Sequence, residues 1–342
     1  MKYQPNFSDP RIQRTANRAL NFVELHIRNA PRWIARNEMY RHFGDTSKPL
    51  GRYLKHLLLI TVDDYYNYQT GVCKQYRRNA TGVLELKHLL GITDFVPQID
   101  SELEQQIVSG NFEYQTKSNR EFNAVQFLAR DIRGPLLANH GYRYNYDIEA
   151  AAPSLLLQRA RQINPDFEAP ALSNYIANRS AIRQQIAEQC SITATDVKTT
   201  INAMLHGAYI SKNSYSQILQ QLNYNYTAID ALRANVTICE IREDIRLMWQ
   251  TLKPLFPERF MTNCRGNTVR VRLSGRDKSG LYRELEQQVG RVIRKYLKRN
   301  CVRHLWIHDG WCADKVIYSQ ELCAEVRRQT GFVIELDMGV YE

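Results

Sequence analysis

Trp306-Ile307-His308-Asp309-Gly310-Trp311 is the stretch whose reading decides the fold. Apolar residues lead up to a carboxylate, a glycine follows, and a second apolar run leaves. Asp-Gly readily takes the backbone angles of a tight hairpin. The pattern therefore predicts two short strands joined at Asp309-Gly310, with the carboxylate at the tip and His308 beside it. An ordinary Asp-Gly turn reads the same way. What raises the interest of Asp309 is a second carboxylate stretch upstream and a basic helix between the two.

Upstream of the hairpin, residues 281–299 read as a long basic helix, and residues 268–273 as a strand followed by a turn at Gly275-Arg276-Asp277. Residues 226–255 read as helical throughout, as do 195–205 and 174–190. Residues 142–148 alternate like a strand ending at Asp147, and 150–162 follow as a helix with Pro153 near its first turn. Downstream, a helix at 320–329 and a strand at 332–336 complete the pattern. Strands and helices mix without a βαβ rhythm, so the expected class is α+β.

Farther out, residues 121–130 read as a short helix that 131–135 breaks, and 93–120 as a polar linker or surface segment. Residues 10–29 place Ile12, Ala16, Leu20, Val23 and Ile27 at helical spacing. A second helix fits 37–43 with Asn37 as its cap, and Gly44-Asp45 makes a turn. A third helix, 48–58, carries Lys48, Arg52, Lys55 and His56. A hairpin over 60–68 and 72–78, bearing Arg77-Arg78, and a helix at 81–91 follow. That order is the order of a winged helix-turn-helix, which lays its third helix in a DNA groove. A small helical domain that only packs against the rest fits the same pattern. The expected division is a winged-helix-like DNA-binding or adaptor domain over 1–92, a linker over 93–124 and a catalytic domain over 125–342.

The 342 residues carry a net charge of +11, which points to a polyanionic partner, nucleic acid before a membrane surface. No apolar run is long enough for a transmembrane helix, and the first residues lack a signal-peptide core. Seven scattered cysteines without a C-x-x-C pair fit reduced thiols in a cytoplasmic compartment and argue against a zinc site. A Walker loop and a G-x-S-x-G elbow are both missing, so neither an ATPase motor nor a serine hydrolase is indicated. A two-metal nuclease would want a denser set of acidic and histidine residues.

Asp147 and Asp309 are the carboxylates that carry the chemistry. Two such groups can share a pair of divalent ions about 3.5–4 Å apart, holding the attacking and leaving oxygens of phosphoryl transfer. Magnesium prefers oxygen ligands and keeps part of its water shell, so two carboxylates plus substrate phosphates can suffice. Glu149 shares the strand face of Asp147 if the strand continues, as a third ligand. Between them, Lys198, Asn202 and His206 lie at intervals of four on one helix face and offer a cation to a triphosphate. Arg265, Arg270, Arg272, Arg276 and Lys278 surround the strand-turn, and Arg291, Arg294, Lys295, Lys298 and Arg299 line the late helix. Such cations give salt-sensitive phosphate contacts, or simply a solvated basic surface.

At this point the residues take on a family likeness. Asp147-Ile148-Glu149-Ala150-Ala151-Ala152-Pro153-Ser154 resembles motif A of template-directed polymerases. Lys198-x7-His206-Gly207 resembles motif B, which reads Lys-x7-Tyr-Gly in family A DNA polymerases and single-subunit RNA polymerases of the phage and mitochondrial type. His308-Asp309-Gly310 resembles motif C, and Gln287-Gln288-Val289-Gly290-x4-Lys295 resembles the glutamine-bearing helix laid against primer and template. Asp131-Ile132-Arg133-Gly134 is similar to a further segment of the RNA polymerases, with Pro135 in place of its arginine. The likeness covers about residues 125–342. Two departures stand out: His206 replaces the tyrosine of motif B, and the Asp-x5-Pro-Ser form of motif A is closer to family B enzymes.

The resemblance implies a right-hand palm and fingers core holding two Mg²⁺ on Asp147 and Asp309, with Mn²⁺ able to serve instead. It implies Lys198 on the incoming nucleoside triphosphate, His206, Ala152 and Arg133 around the nucleotide, and Gln287 and Arg291 on the template-product duplex. Arg52, Lys55 and Arg77 would add DNA contacts. A small residue at Ala152, where related DNA polymerases have a bulky one that blocks the 2′-hydroxyl, implies ribonucleotides. The short chain suits RNA synthesis on an exposed DNA template, by a primase or a minimal RNA polymerase. A phage or mobile element is a fitting source, with a helicase or other replication protein as companion. A small DNA polymerase of the same superfamily is the alternative. A winged-helix regulator or replication initiator with a non-catalytic palm-like domain is another.

Overall fold

The computed structural model describes residues 3–27, 32–63, 74–93, 99, 101–117, 120–258, 260–262, 268–270, 273–307 and 309–341. It divides into two compact units. The first is Met1–Gln115 with Phe122–Arg143 and Val340–Glu342; the second is Thr116–Glu121 with Tyr144–Gly339. The class is α+β, with small antiparallel sheets among many helices. No helix of the described residues is long and apolar enough to cross a membrane.

In the first unit, α1 (Pro10–His26) starts at Asp9, whose carboxylate accepts from the Arg11 N–H with Pro10 at the first position. Its Ala16, Ala19, Leu20 and Val23 stripe is fully buried. β1 (Arg32–Trp33), α2 (Arg36–Phe43), α3 (Pro49–Leu58), β2 (Leu59–Asp63), β3 (Gln75–Arg78) and α4 (Ala80–Leu89) follow. The strands pair in the order β1-β3-β2, antiparallel. Phe22, Phe43, Leu54, Leu58, Val83 and Leu86 close the core. Arg78 on β3 pairs with the buried Glu24 of α1 at 2.7 Å. The three helices and the antiparallel pair β2–β3 occur in the expected order, with β1 added between α1 and α2. Parts of the expected hairpin, 64–68 and 72–73, lie outside the described residues.

Several local expectations are corrected here. Asn37 is not a cap: α2 starts one residue earlier, after Ala35. The expected linker contains α5 (Ser101–Ser109), with Leu103 and Ile107 as its buried apolar anchors. Two anchors are too few for a visible period. A short β4 (Gln115–Lys117) and β5 (Arg120–Phe122) follow, then a 3₁₀ turn over Ala124–Phe127 capped by Asn123, in place of the expected helix. Residues 131–135 do not break a helix but belong to α6 (Arg130–Asn139), with Pro135 inside it. The preceding Gly134 has no Cβ for the proline ring to strike.

The second unit is built on β6 (Tyr144–Ile148) and α7 (Ala151–Ile163), followed by α8 (Pro170–Ala177), α9 (Arg179–Cys190), α10 (Ala194–Leu205), α11 (Gln217–Gln221), α12 (Tyr226–Ala234) and α13 (Val236–Leu252). β7 (Phe260–Thr262) and β8 (Thr268–Arg270) pair antiparallel in a separate two-stranded sheet. Arg265 and Arg272, like the side chain of Arg270, lie outside the described residues. α14 (Gly275–Arg299), β9 (His304–Ile307), β10 (Gly310–Ala313), α15 (Ser319–Thr330) and β11 (Leu336–Val340) complete it.

The helix expected over 174–190 is divided at Asn178, and the one over 226–255 at Asn235, whose side chain caps α13 by accepting from the Ile238 N–H. The expected turn at Gly275-Arg276-Asp277 is instead the first turn of α14, where Ser274 and Asp277 form a capping box. The last strand begins at Leu336 rather than at 332.

The central sheet has the order β11-β6-β10-β9, with β10 antiparallel to both neighbours. Its buried face carries stacked rings. Tyr146 and Trp311 lie 5.2 Å apart between centroids, and Trp306 and Trp311 lie 5.7 Å apart. Such stacking adds to burial and holds β6, β10 and β9 in register. α7 and α14 pack on each other, and α14 buries Leu281, Leu285, Val289, Ile293 and Leu297 along one stripe.

Candidate active site

β6 carries Asp147 as its next-to-last residue, and β10 begins directly after Asp309. Ile307 pairs with Gly310 across the hairpin, so Gly310 is a strand residue rather than half of the turn, and Asp309 stands at the tip. His308 lies outside the described residues. On its other side Gly310 pairs with Asp147, and the Ile148 N–H donates to the Asp309 carbonyl over 3.3 Å. The two aspartates thus stand on neighbouring strand ends.

That closeness requires the glycine. A Cβ on Gly310 would lie 2.3 Å from the Tyr146 carbonyl oxygen and 3.1 Å from Asp147 Oδ1. Gly310 does not have a positive φ. Its reason is therefore the approach of two backbones, not turn conformation.

After Asp147 the chain turns through Ala150 at φ 47°, left-handed backbone that a residue with a Cβ rarely adopts. The Ser154 N–H donates to the Ala150 carbonyl and starts α7, which brings Ala152 back beside the strand end. Strained backbone of this kind gathers at functional sites.

A cavity of about 410 Å³ opens here, within the range of small-molecule sites. Asp147, Asp309, Lys198, His206 and Ala152 all line it, as do Asn202 and Glu149. Lys198, Asn202 and His206 reach it from one side of α10 and its C-terminal end, at the intervals of four expected for a shared face. A Thr193–Asp196 capping box fixes the start of α10. The Trp249 indole N–H fixes its end by donating to the Leu205 carbonyl at 2.9 Å. His206 lies 5.7 Å from the Tyr282 ring between centroids, and its Nδ1 is 3.3 Å from Ser279 Oγ.

Although Asp147 is exposed by surface area, desolvation on its cavity side, then the charge of Asp309, pushes its carboxyl up from its ordinary value to about 6; Asp337 adds to the rise and Lys198 opposes it. Carboxylates that make each other costly to ionise favour a bound cation. Carboxylate oxygens such as those of Asp147 and Asp309 are of the hard type that magnesium prefers. Among the described residues there is no group of three or more His, Cys, Asp or Glu that could hold a metal ion. Glu149, the candidate third ligand, is engaged by Arg179 at 2.5 Å.

Arg179, Arg183, Tyr282 and Asp337 also line the cavity, and sequence reasoning misses them. Arg183 is held by donating from Nε to the buried Tyr175 hydroxyl at 2.9 Å. The signals that could have found them are an arginine pair spaced by four just before the Lys198 helix, and acidic residues alternating at Glu335 and Asp337.

The remaining candidates fall elsewhere. Gln287 and Arg291 lie on α14 and do not line this cavity; the Arg291 Nε donates to the Gln287 carbonyl at 3.3 Å. Arg294, in the same basic helix, stacks on Trp306 and pairs with Glu121. Arg133 belongs to the first unit, where its guanidinium donates to the Gln126 carbonyl at 3.4 Å. Arg52, Lys55 and Arg77 are in that unit too. Compared with known proteins, the chain matches no family model, and no curated protein matches it.

Proposed function

We propose that the chain synthesises RNA on a DNA template by two-metal nucleotidyl transfer, as a minimal single-subunit RNA polymerase or primase with a palm-type core. The observation that carries this reading is the meeting of Asp147 and Asp309 on adjacent strand ends, in one cavity with Lys198. Asp147 and Asp309 would hold two Mg²⁺ ions. Bound there, the ions supply positive charge to the attacking and leaving oxygens. Lys198 contacts the incoming triphosphate and gives its proton to the departing pyrophosphate. Arg183, fixed by Tyr175, adds positive charge on the same cavity wall. His206 and Tyr282 border the base and sugar. The order of helices and hairpin in the first unit supports a winged-helix-like adaptor for DNA.

The test is incubation of the protein with single-stranded DNA, Mg²⁺ and labelled ribonucleotides, beside an Asp309→Ala control. Template-dependent RNA made only by the parent is expected. Incorporation of deoxyribonucleotides alone would turn the reading to a small DNA polymerase. Binding of duplex DNA with no synthesis would favour the regulator.

Ala152 gives a sharper test. It sits in the first turn of α7, half-buried on the cavity wall. A larger side chain there crowds the sugar. Ala152→Glu is expected to lower the kcat/KM ratio of ribo- to deoxyribonucleotides by roughly 10- to 200-fold, the range that one steric contact supplies. An unchanged ratio would move the sugar gate to another residue.

A further inference from the structure

The first unit contains a cavity of its own, about 400 Å³, remote in sequence from every residue assigned a catalytic role. It is bounded by the start of α2, the turn from α2 to α3, one face of α3 and the start of β3. Three cations converge on it: Arg36, Lys55 and Lys74. Among the described residues one acid lines it, Asp45, and that carboxylate is turned to its own loop, accepting from the Ser47 N–H at 3.0 Å and the Ser47 hydroxyl at 2.6 Å. Those bonds hold its pKa below the ordinary carboxylate value.

Two tyrosines complete the wall. Tyr76 is buried, with the Lys55 ammonium 5.3 Å from its ring centre. Tyr40 is 64 % exposed at the rim. Ile34 and Met39 supply an apolar floor. Cations around an apolar slot with an open aromatic ring suit a base and its phosphates. Stacking on an aromatic face serves any base, and the cations track the backbone.

Lys55 lines the cavity, and Arg52 donates to the Ser47 carbonyl at 2.8 Å. We propose that the first unit holds one unpaired nucleotide of a single DNA strand, its base on Tyr40 and the flanking phosphates on Arg36, Lys55 and Lys74. The site does not depend on the polymerase reading.

The experiment uses the full chain without nucleotides or Mg²⁺. A single-stranded oligonucleotide bearing 5-iodouracil is crosslinked by light and the modified peptide mapped. In parallel, anisotropy follows a labelled single strand and a duplex of equal length. Crosslinking at Tyr40 is expected. Tyr40→Ala should weaken single-strand binding on the order of tenfold, with Tyr40→Phe restoring it and duplex binding unchanged. Arg36→Ala with Lys74→Ala should reduce the salt slope of single-strand binding by roughly 1.4, about 0.7 for each phosphate no longer neutralised.

Tyr40 is exposed enough that its removal should leave thermal melting unaltered, which is checked on the same samples. Crosslinks confined to the second unit, an unaltered affinity in Tyr40→Ala, or equal losses for single strand and duplex would each overturn the proposal. So would displacement of the oligonucleotide by an acidic peptide at lower concentration than by unlabelled DNA. A chain that makes no RNA but crosslinks at Tyr40 would retain this site and lose the proposed function.

Discussion

Asp147→Asn is expected to abolish nucleotide incorporation and, in the same protein, to raise the thermal stability of the metal-free chain at neutral pH. The first effect should be on the order of a thousandfold or more, because on the proposed reading the amide removes one of two anionic ligands from a centre that works through charge. The second follows from the electrostatics. The folded-state pKa of Asp147 is raised to about 6 by desolvation and by Asp309. The folded chain therefore binds this proton more tightly than the unfolded chain does. Below the unfolded value both states are protonated and nothing is lost. As the pH rises through the folded pKa, the charge forms against its surroundings and stability falls.

An asparagine carries no such charge. Its advantage should be full above about pH 6 and vanish near pH 4. The carboxylate borders an open cavity, so screening holds the gain to on the order of 1 kcal/mol. Calorimetry over a pH series, with and without Mg²⁺, reads the stability, and incorporation of labelled nucleotides reads the activity. The metal should raise the melting temperature of the parent and not that of the variant. On the proposed reading, proton and metal compete for the same oxygens in the parent. Synthesis limited by metal should thus fall about tenfold per unit below pH 6. An Asp147→Asn protein that melts earlier than the parent at about pH 8, yet synthesises normally, would remove Asp147 from the site.

How much of this is legible in the sequence depends on the range of each signal. The hairpin at Asp309 and the α10 face bearing Lys198, Asn202 and His206 are local. Each rests on residues within one turn or one helix, and each is found. The pairing of β6 with β10 is implied only by family likeness, and it is carried by distant rings, Tyr146 on Trp311 and Trp311 on Trp306. Arg179 and Arg183 are hidden inside a stretch that reads as one continuous helix. The division at Asn178 that turns them toward the cavity has no apolar signature.

The last strand is misplaced for a related reason. Phe332 and Ile334 are buried but irregular, whereas Asp337 through Val340 are exposed along a sheet edge and show no alternation. Residues whose place depends on sheet register, Asp337 among them, cannot be found by reading periods. The role of Gly310 differs in kind: Asp-Gly suggests a turn, and the geometry makes the glycine a spacer between two backbones.

Gly310→Ala tests that spacing. The new methyl would stand 2.3 Å from the Tyr146 carbonyl oxygen, a backbone atom in the middle of the sheet, with Asp147 Cα at 3.2 Å. No flexible side chain end can give way. β6 and β10 must part, and Asp309 moves away from Asp147 as they do. Overpacking of this sort costs roughly 1–3 kcal/mol. Misplacement of catalytic groups by about 1 Å costs on the order of a hundredfold in rate.

Gly280→Ala, in the second turn of α14, is the control, because a Cβ there meets nothing within 4 Å. Helix propensity alone should make that protein more stable by about 0.5–1 kcal/mol, with synthesis unchanged. The two substitutions add the same single methyl to glycines in one unit and should move stability in opposite directions. If Gly310→Ala melts with the parent and extends RNA at the parent's rate, the strand ends tolerate separation. The activity would then not depend on Asp147 and Asp309 being held side by side.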